Sequence, residues 1–225
     1  MRKRFPGLIL IYLISWVSIP ILFAQDPIVQ WDNTIGGTAD DRCMSLCTTT
    51  DGGYLIGAES RSGISGDKTE TQIGGWDFWI LKLDASGNII WQNTIGTTAD
   101  DRLVKVLQTS DGGYIVLGTS ASFGGGYSSY LIKTDLNGDT LWTKLIGGTW
   151  NEEGYSVQQT TDGGYIIGGL TNSFGTNDYN FYLVKTDANG NSNCYTDFAP
   201  TQIFPFTTQV SNTTTIVSNS NTIVT

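Results

Sequence analysis

Apolar and polar side chains alternate from Leu103 to Thr109, and from Tyr114 to Thr119 the alternation gives way to a β-branched and aromatic run. Alternation with a period of two predicts a half-buried strand, and the uniform run predicts a strand covered on both faces. Between them Asp111-Gly112-Gly113 supplies glycines that accept the positive φ of a tight hairpin turn. A third apolar run covers Tyr130 to Asp135. The turn Leu136-Asn137-Gly138-Asp139 then leads into a fourth, Thr140 to Ile146, which carries Trp142. Four consecutive antiparallel strands are the predicted unit.

That unit recurs. Asp51-Gly52-Gly53-Tyr54, Asp111-Gly112-Gly113-Tyr114 and Asp162-Gly163-Gly164-Tyr165 each lie 20 residues after a tryptophan, Trp31, Trp91 and Trp142. The tryptophan segments match as Trp31-Asp32-Asn33-Thr34-Ile35-Gly36, Trp91-Gln92-Asn93-Thr94-Ile95-Gly96 and Trp142-Thr143-Lys144-Leu145-Ile146-Gly147. Acidic pairs follow at Asp40-Asp41, Asp100-Asp101 and Glu152-Glu153, read here as matching places. The period is about 51 residues, lengthened in the first copy by an insertion from Ile64 to Gln72. Short strands repeating at that spacing predict an all-β, propeller-like array of three four-stranded antiparallel blades.

The pattern Lys-x-Asp-x-x-Gly-x-x-x-Trp, at Lys82 to Trp91 and Lys133 to Trp142, resembles the tryptophan-docking repeat of quinoprotein-type propellers. The whole unit with its Asp-Gly-Gly-Tyr turn is similar to the β-propeller repeats of bacterial secreted proteins, many of which end in a sorting domain for the type IX route. The resemblance covers Trp31 to about Tyr195 and implies a fold rather than an activity. Two departures stand out. There are three units where a closed ring of this kind has at least four, and Cys194 stands where Trp91 and Trp142 stand. The expectation is an incomplete or open propeller, either a truncated frame or an arc that associates with a second chain. Met44, Leu46, Val104, Val106, Tyr155 and Val157 are read as matching inward positions that would leave apolar faces at the ends of the arc.

Flanking the repeats, Arg2-Lys3-Arg4 precedes an apolar run that closes at Phe23-Ala24, the pattern of an export signal over residues 1–24. The repeat domain is expected over 26–195 and a Thr, Ser and Asn-rich tail over 196–225. In the tail, Thr201-Gln202-Ile203, Thr208-Gln209-Val210, Thr215-Ile216-Val217 and Thr222-Ile223-Val224 set a seven-residue period. One β-branched position per heptad and Pro205 argue against a coiled coil, leaving an extended stalk or a strand stack.

Without the leader, 9 basic residues face 21 acidic ones, a net charge of −12 that disfavours nucleic acid and anionic bilayers as partners; no membrane span is expected after the leader is removed. The chain contains no histidine, which excludes Ser-His-Asp and Cys-His nucleophile pairs and histidine metal sites. Carboxylate pairs could serve glycoside hydrolysis, but pairs that recur in every unit read as structural. Asp67 and Glu70 in the insertion are unrepeated. Asp135, Asn137 and Asp139 place oxygens at alternate positions, as do the turns from Asp84 and Asp187. This is a weak calcium candidate, because the distal glutamate of a calcium loop is missing. Cys43 and Cys47, four apart, are expected on one strand face and too distant to pair. The aromatics of the variable loops, Trp76, Phe123, Tyr127, Phe174 and Tyr179, would suit a protein or glycan ligand. The expected function is an exported, non-enzymatic scaffold or binding module without a cofactor, with a fragment of a secreted carbohydrate-active enzyme as the alternative.

Overall fold

The computed structural model describes residues 29–121, 126–174 and 178–192, with 202–205 and 209–211 as strands. Residues 1–24, where an export signal is expected, lie outside the described residues, as do Phe123, Cys194 and the last two heptads. The chain divides into two compact units, Met1–Gln30 and Trp31–Thr225, and the account below concerns the second. Among the described residues no helix is long and apolar enough to cross a membrane.

The structure is all-β. Strands β1 (Asp41–Thr48), β2 (Tyr54–Ser60), β3 (Asp77–Leu83) and β4 (Ile89–Gly96) form the first sheet. β5 (Asp101–Gln108), β6 (Tyr114–Ser120), β7 (Ser128–Thr134) and β8 (Thr140–Gly147) form the second, and β9 (Glu152–Gln159), β10 (Tyr165–Thr171) and β11 (Asn180–Thr186) the third. Every neighbouring pair is antiparallel and consecutive in sequence. Two tail strands, β12 (Gln202–Pro205) and β13 (Gln209–Ser211), add to the outer edges of β8 and β4. Gln202 lies opposite Gly147 and Gln209 opposite Gly96, so one tail heptad separates two equivalent positions on successive sheets.

The sheets face one another across two apolar cores. Leu55, Phe78, Ile80 and Ile95 of the first sheet meet Leu103, Val106, Tyr114 and Val116 of the second. Ile115, Leu117, Leu131 and Ile146 meet Val157, Tyr165, Ile167 and Val184 of the third. Burial of both faces explains the unbroken apolar runs Tyr114 to Leu117 of β6 and Tyr130 to Ile132 of β7.

A β-bulge in the first strand of each sheet overturns two expectations. The register slips between Cys43 and Ser45, between Leu103 and Lys105, and opposite Gly168 and Gly169. The extra residue reverses the alternation halfway along the strand. Leu103 therefore joins the first core while Leu107 packs against the second. By the same slip Cys43 and Cys47 do not share a face: Cys43 is exposed, Cys47 packs against the first core, and both thiols are free. The proposed inward set also separates, with Val106 and Val157 buried but Met44, Leu46 and Tyr155 about half exposed.

Candidate functional site

The recurring aspartate, threonine and lysine of each unit hold that unit together. In the hairpin turn, Asp51 accepts hydrogen bonds from the Thr49 hydroxyl, from Gly53 N at 3.1 Å and from Lys82 Nζ at 3.1 Å. Asp111 takes Thr109, Gly113 and Lys133 in the same way, and Asp162 takes Thr160, Gly164 and Lys185. These hydrogen bonds, from the threonine first and then the lysine, hold Asp51 well below the usual carboxylate range; for Asp162 the lysine is the larger cause. Each lysine also donates to the carbonyl of the next residue at 2.9 Å. The first glycine of the turn has φ near +85°. The second leaves room for the lysine: a Cβ on Gly53 would lie 2.2 Å from Leu83 O and 2.5 Å from Lys82 Nζ.

The tyrosine completes the motif by receiving the tryptophan that precedes it in the sequence. Trp31 meets Tyr54 at 5.7 Å between ring centroids, Trp91 meets Tyr114 at 5.8 Å and Trp142 meets Tyr165 at 5.9 Å. Each indole also covers a turn glycine of positive φ, Gly87, Gly138 or Gly190. Asn33 and Asn93 donate to the carbonyls of Gly87 and Gly138 at 2.8 and 2.7 Å.

The candidate calcium turn is self-contained. Asp135 Oδ1 accepts from Asn137 N at 2.8 Å and Asp139 N at 2.9 Å, the side-chain-capped turn that Asp84 and Asp187 also form. Among the described residues no group of three or more acidic, cysteine or histidine side chains could hold a metal ion. The acidic pairs are out of step by one. Asp41 lies opposite Ser60, Asp101 opposite Ser120 and Glu152 opposite Thr171, so Glu153 matches Arg42 and Arg102 rather than an acid. The three equivalent acids secure the loop ahead of them: Gly37 N donates to Asp41 at 2.6 Å, Thr97 N to Asp101 at 2.6 Å and Gly148 N to Glu152 at 2.5 Å. Burial pushes Asp101 up to about 6.

The repeat is broken between the first two sheets. Trp76 is buried beneath three guanidinium groups, with Arg42 4.3 Å, Arg102 4.7 Å and Arg61 5.1 Å from its ring centroid. Planar cations over an indole face gain from its quadrupole. Asp40 lies 3.6 Å from Arg42, and Glu59 and Asp100 lie 3.3 and 3.6 Å from Arg102. The cap joins elements remote in sequence, since Trp76 N donates to Asp100 and Asp101 N to Trp76 O. Beside it, the insertion buries Lys68 and Glu70, and Asp77 is buried at the start of β3. Lys68 Nζ donates to Glu70 O at 3.1 Å and to Thr94 Oγ1, while Gln92 holds the insertion through Thr69 N and Asp67 O. Burial lowers Lys68 to about 8 and raises Asp77. Perturbed groups mark candidate sites, but Lys68 is 1% exposed and its ammonium is engaged by the fold. The exposed guanidinium edges could receive an anionic or flat group, and they supply no nucleophile.

Trp76 was visible in sequence only as a loop aromatic, and the arginines gave no sign of convergence beyond their departure from the third unit. The other loop aromatics divide: Phe174 stacks on Tyr182 at 5.8 Å, whereas Tyr127 and Tyr179 are exposed. Compared with known proteins, the chain matches no family model and no curated protein.

Proposed function

We propose that this chain is an exported, non-enzymatic scaffold in which the three sheets are consecutive blades of a β-propeller-like array. The observation that carries this reading is the threefold recurrence of one bonding pattern: the Asp-Gly-Gly-Tyr aspartate, its threonine and its lysine in every sheet, and the tryptophan that docks on each tyrosine. Side chains engaged in holding successive sheets are unsuited to a reaction, and the repeated acids are taken up in the same way. Binding belongs to the unrepeated part, the arginine-capped Trp76 and the exposed loop aromatics, and its ligand is a protein or a glycan.

Incubating the purified chain with neutral and acidic glycans, with binding and product formation followed together, tests this reading. Binding without turnover, weakened by Arg42→Ala or Arg61→Ala, is the expected result. Turnover abolished by Asp67→Asn or Glu70→Gln would establish the enzyme reading in its place.

A further inference from the structure

The two internal sheet-to-sheet contacts follow one size rule. On the middle strand of the first sheet stands Gly57, and a Cβ there would meet Val106 at 2.5 Å and Leu103 at 2.8 Å on β5. At the equivalent place on β6 stands Leu117, and the strand that faces it carries Gly154, whose Cβ would lie 2.9 Å from the Leu117 methyl. Where one side is glycine the other is large, and where one side is leucine the other is glycine. The third sheet carries Gly168 at this position, and a Cβ there would meet nothing closer than Leu183 at 3.7 Å. An open surface hollow of about 490 Å³ lies over it, lined by Tyr155, Ser156, Gly168, Gly169, Tyr179 and Phe181. At the other end, the residues of β1 equivalent to Leu103 and Val106 are Cys43 and Leu46, both exposed. A glycine hollow at one end and a large side chain at the other satisfy the rule already used twice inside the chain.

The strand edges match as well as the faces. β11 pairs with β10 and with no other strand among the described residues, while its side chains Phe181 and Leu183 are 78% and 56% exposed. In the other two sheets that edge is taken by the strand bearing the docking tryptophan, with Trp91 opposite Lys82 and Trp142 opposite Lys133. Residues 31–37 have the same sequence pattern and belong to no strand, although Trp31 already sits on Tyr54 and Asn33 already bonds to Gly87. This segment has the sequence of a fourth strand and is seated on the sheet after it, and among the described residues it pairs with no sheet before it.

From these two matches we infer that the occupant of the third sheet is a second copy of this chain. Residues 31–37 of the second copy extend β11, with Trp31 opposite Lys185 and Ile35 opposite Phe181. Leu46 and Cys43 of the same copy enter the hollow over Gly168. Because each copy offers both halves of the contact, two copies complete a ring of six sheets through two identical interfaces. The inference rests on the propeller-like reading, and it can fail while that reading stands, since a monomeric arc would still be a scaffold.

The full chain is tested by sedimentation equilibrium across a concentration series, with three variants beside the wild type. The wild type is expected at twice its 24.4 kDa monomer mass. Gly168→Leu fills the hollow, and overpacking should weaken the dimer about tenfold or more. It should leave the fold intact, because the site has room for the added side chain. Cys43→Gly in the same chain then imitates the Leu117 and Gly154 pair and should restore the dimer. Leu46→Asp should abolish it. A wild type that stays monomeric, an open-ended series of larger species, or a dimer indifferent to Gly168→Leu would overturn the inference. Association through the apolar leader would give the last of these results.

Discussion

Replacement of Trp91 by alanine tests the docking that joins one sheet to the next. Its ring is 9% exposed, packs on Tyr114 at 5.8 Å, and lies over Gly138, where a Cβ would come within 2.6 Å of it. Truncation of a buried tryptophan costs about 3 to 5 kcal/mol, and the lost aromatic contact is part of that sum. A loss of this size is a large share of the roughly 5 to 15 kcal/mol that stabilises a small domain. The collapse that normally reduces such a cost is restricted here, because the glycine beneath the ring has no side chain to fill the space and its φ of +83° resists a substitute. Urea titration followed by far-ultraviolet circular dichroism measures the change without relying on the fluorescence of the deleted indole. Trp31→Ala is the internal comparison, since Trp31 makes the same contact with 39% of its surface exposed, and should cost clearly less. A Trp91→Ala loss below about 1 kcal/mol, or equal losses at the two positions, would refute the docking role.

Gly113→Ala places a methyl group 2.3 Å from Thr134 O and 2.5 Å from Lys133 Nζ, so it should destabilise the chain by more than about 1 kcal/mol in the same titration, whereas Ala at an unstrained glycine usually stabilises. Asp101 holds its proton more tightly in the folded chain, near 6, than at its ordinary 3.8, so stability should fall as pH rises through that window. Asp101→Asn should flatten the fall in a series of unfolding curves, and an unchanged slope would assign the pH dependence elsewhere. Asp135 is already occupied by two backbone amides, so millimolar calcium should leave the thermal midpoint unmoved and Asp139→Asn should change it little; a calcium-dependent rise lost in Asp135→Asn would reverse that assignment.

The strands were legible because each is bounded by a glycine turn and carries a period-two or uniformly apolar pattern; β6 and β8 match their expected bounds within a residue. The bulges were not, because nothing in Leu103-Val104-Lys105 marks an extra residue until the partner strand is in place. Reading Cys43 and Cys47 onto one face followed from assuming unbroken alternation. The lysine of each unit was visible as part of a motif, yet its bond to the aspartate more than 20 residues earlier depends on the hairpin bringing the strand ends together. The cap over Trp76 was the least legible part, since Arg42, Arg61 and Arg102 come from three different segments and converge only when the first two sheets pack.

The tail strands have a mechanical consequence. An array whose members touch only their neighbours behaves as a linear chain of coupled units, and its cooperativity is set by the coupling at each junction. β12 and β13 lie on sheets whose equivalent residues are about 51 positions apart, yet the tail residues that face those equivalent positions are only seven apart. They cross the junction in the direction opposite to the order of the sheets. A short tether running counter to the repeats raises the cost of opening that junction without altering either sheet. Tension on the tail would therefore load the boundary between the first two sheets, the same boundary that carries the arginines over Trp76.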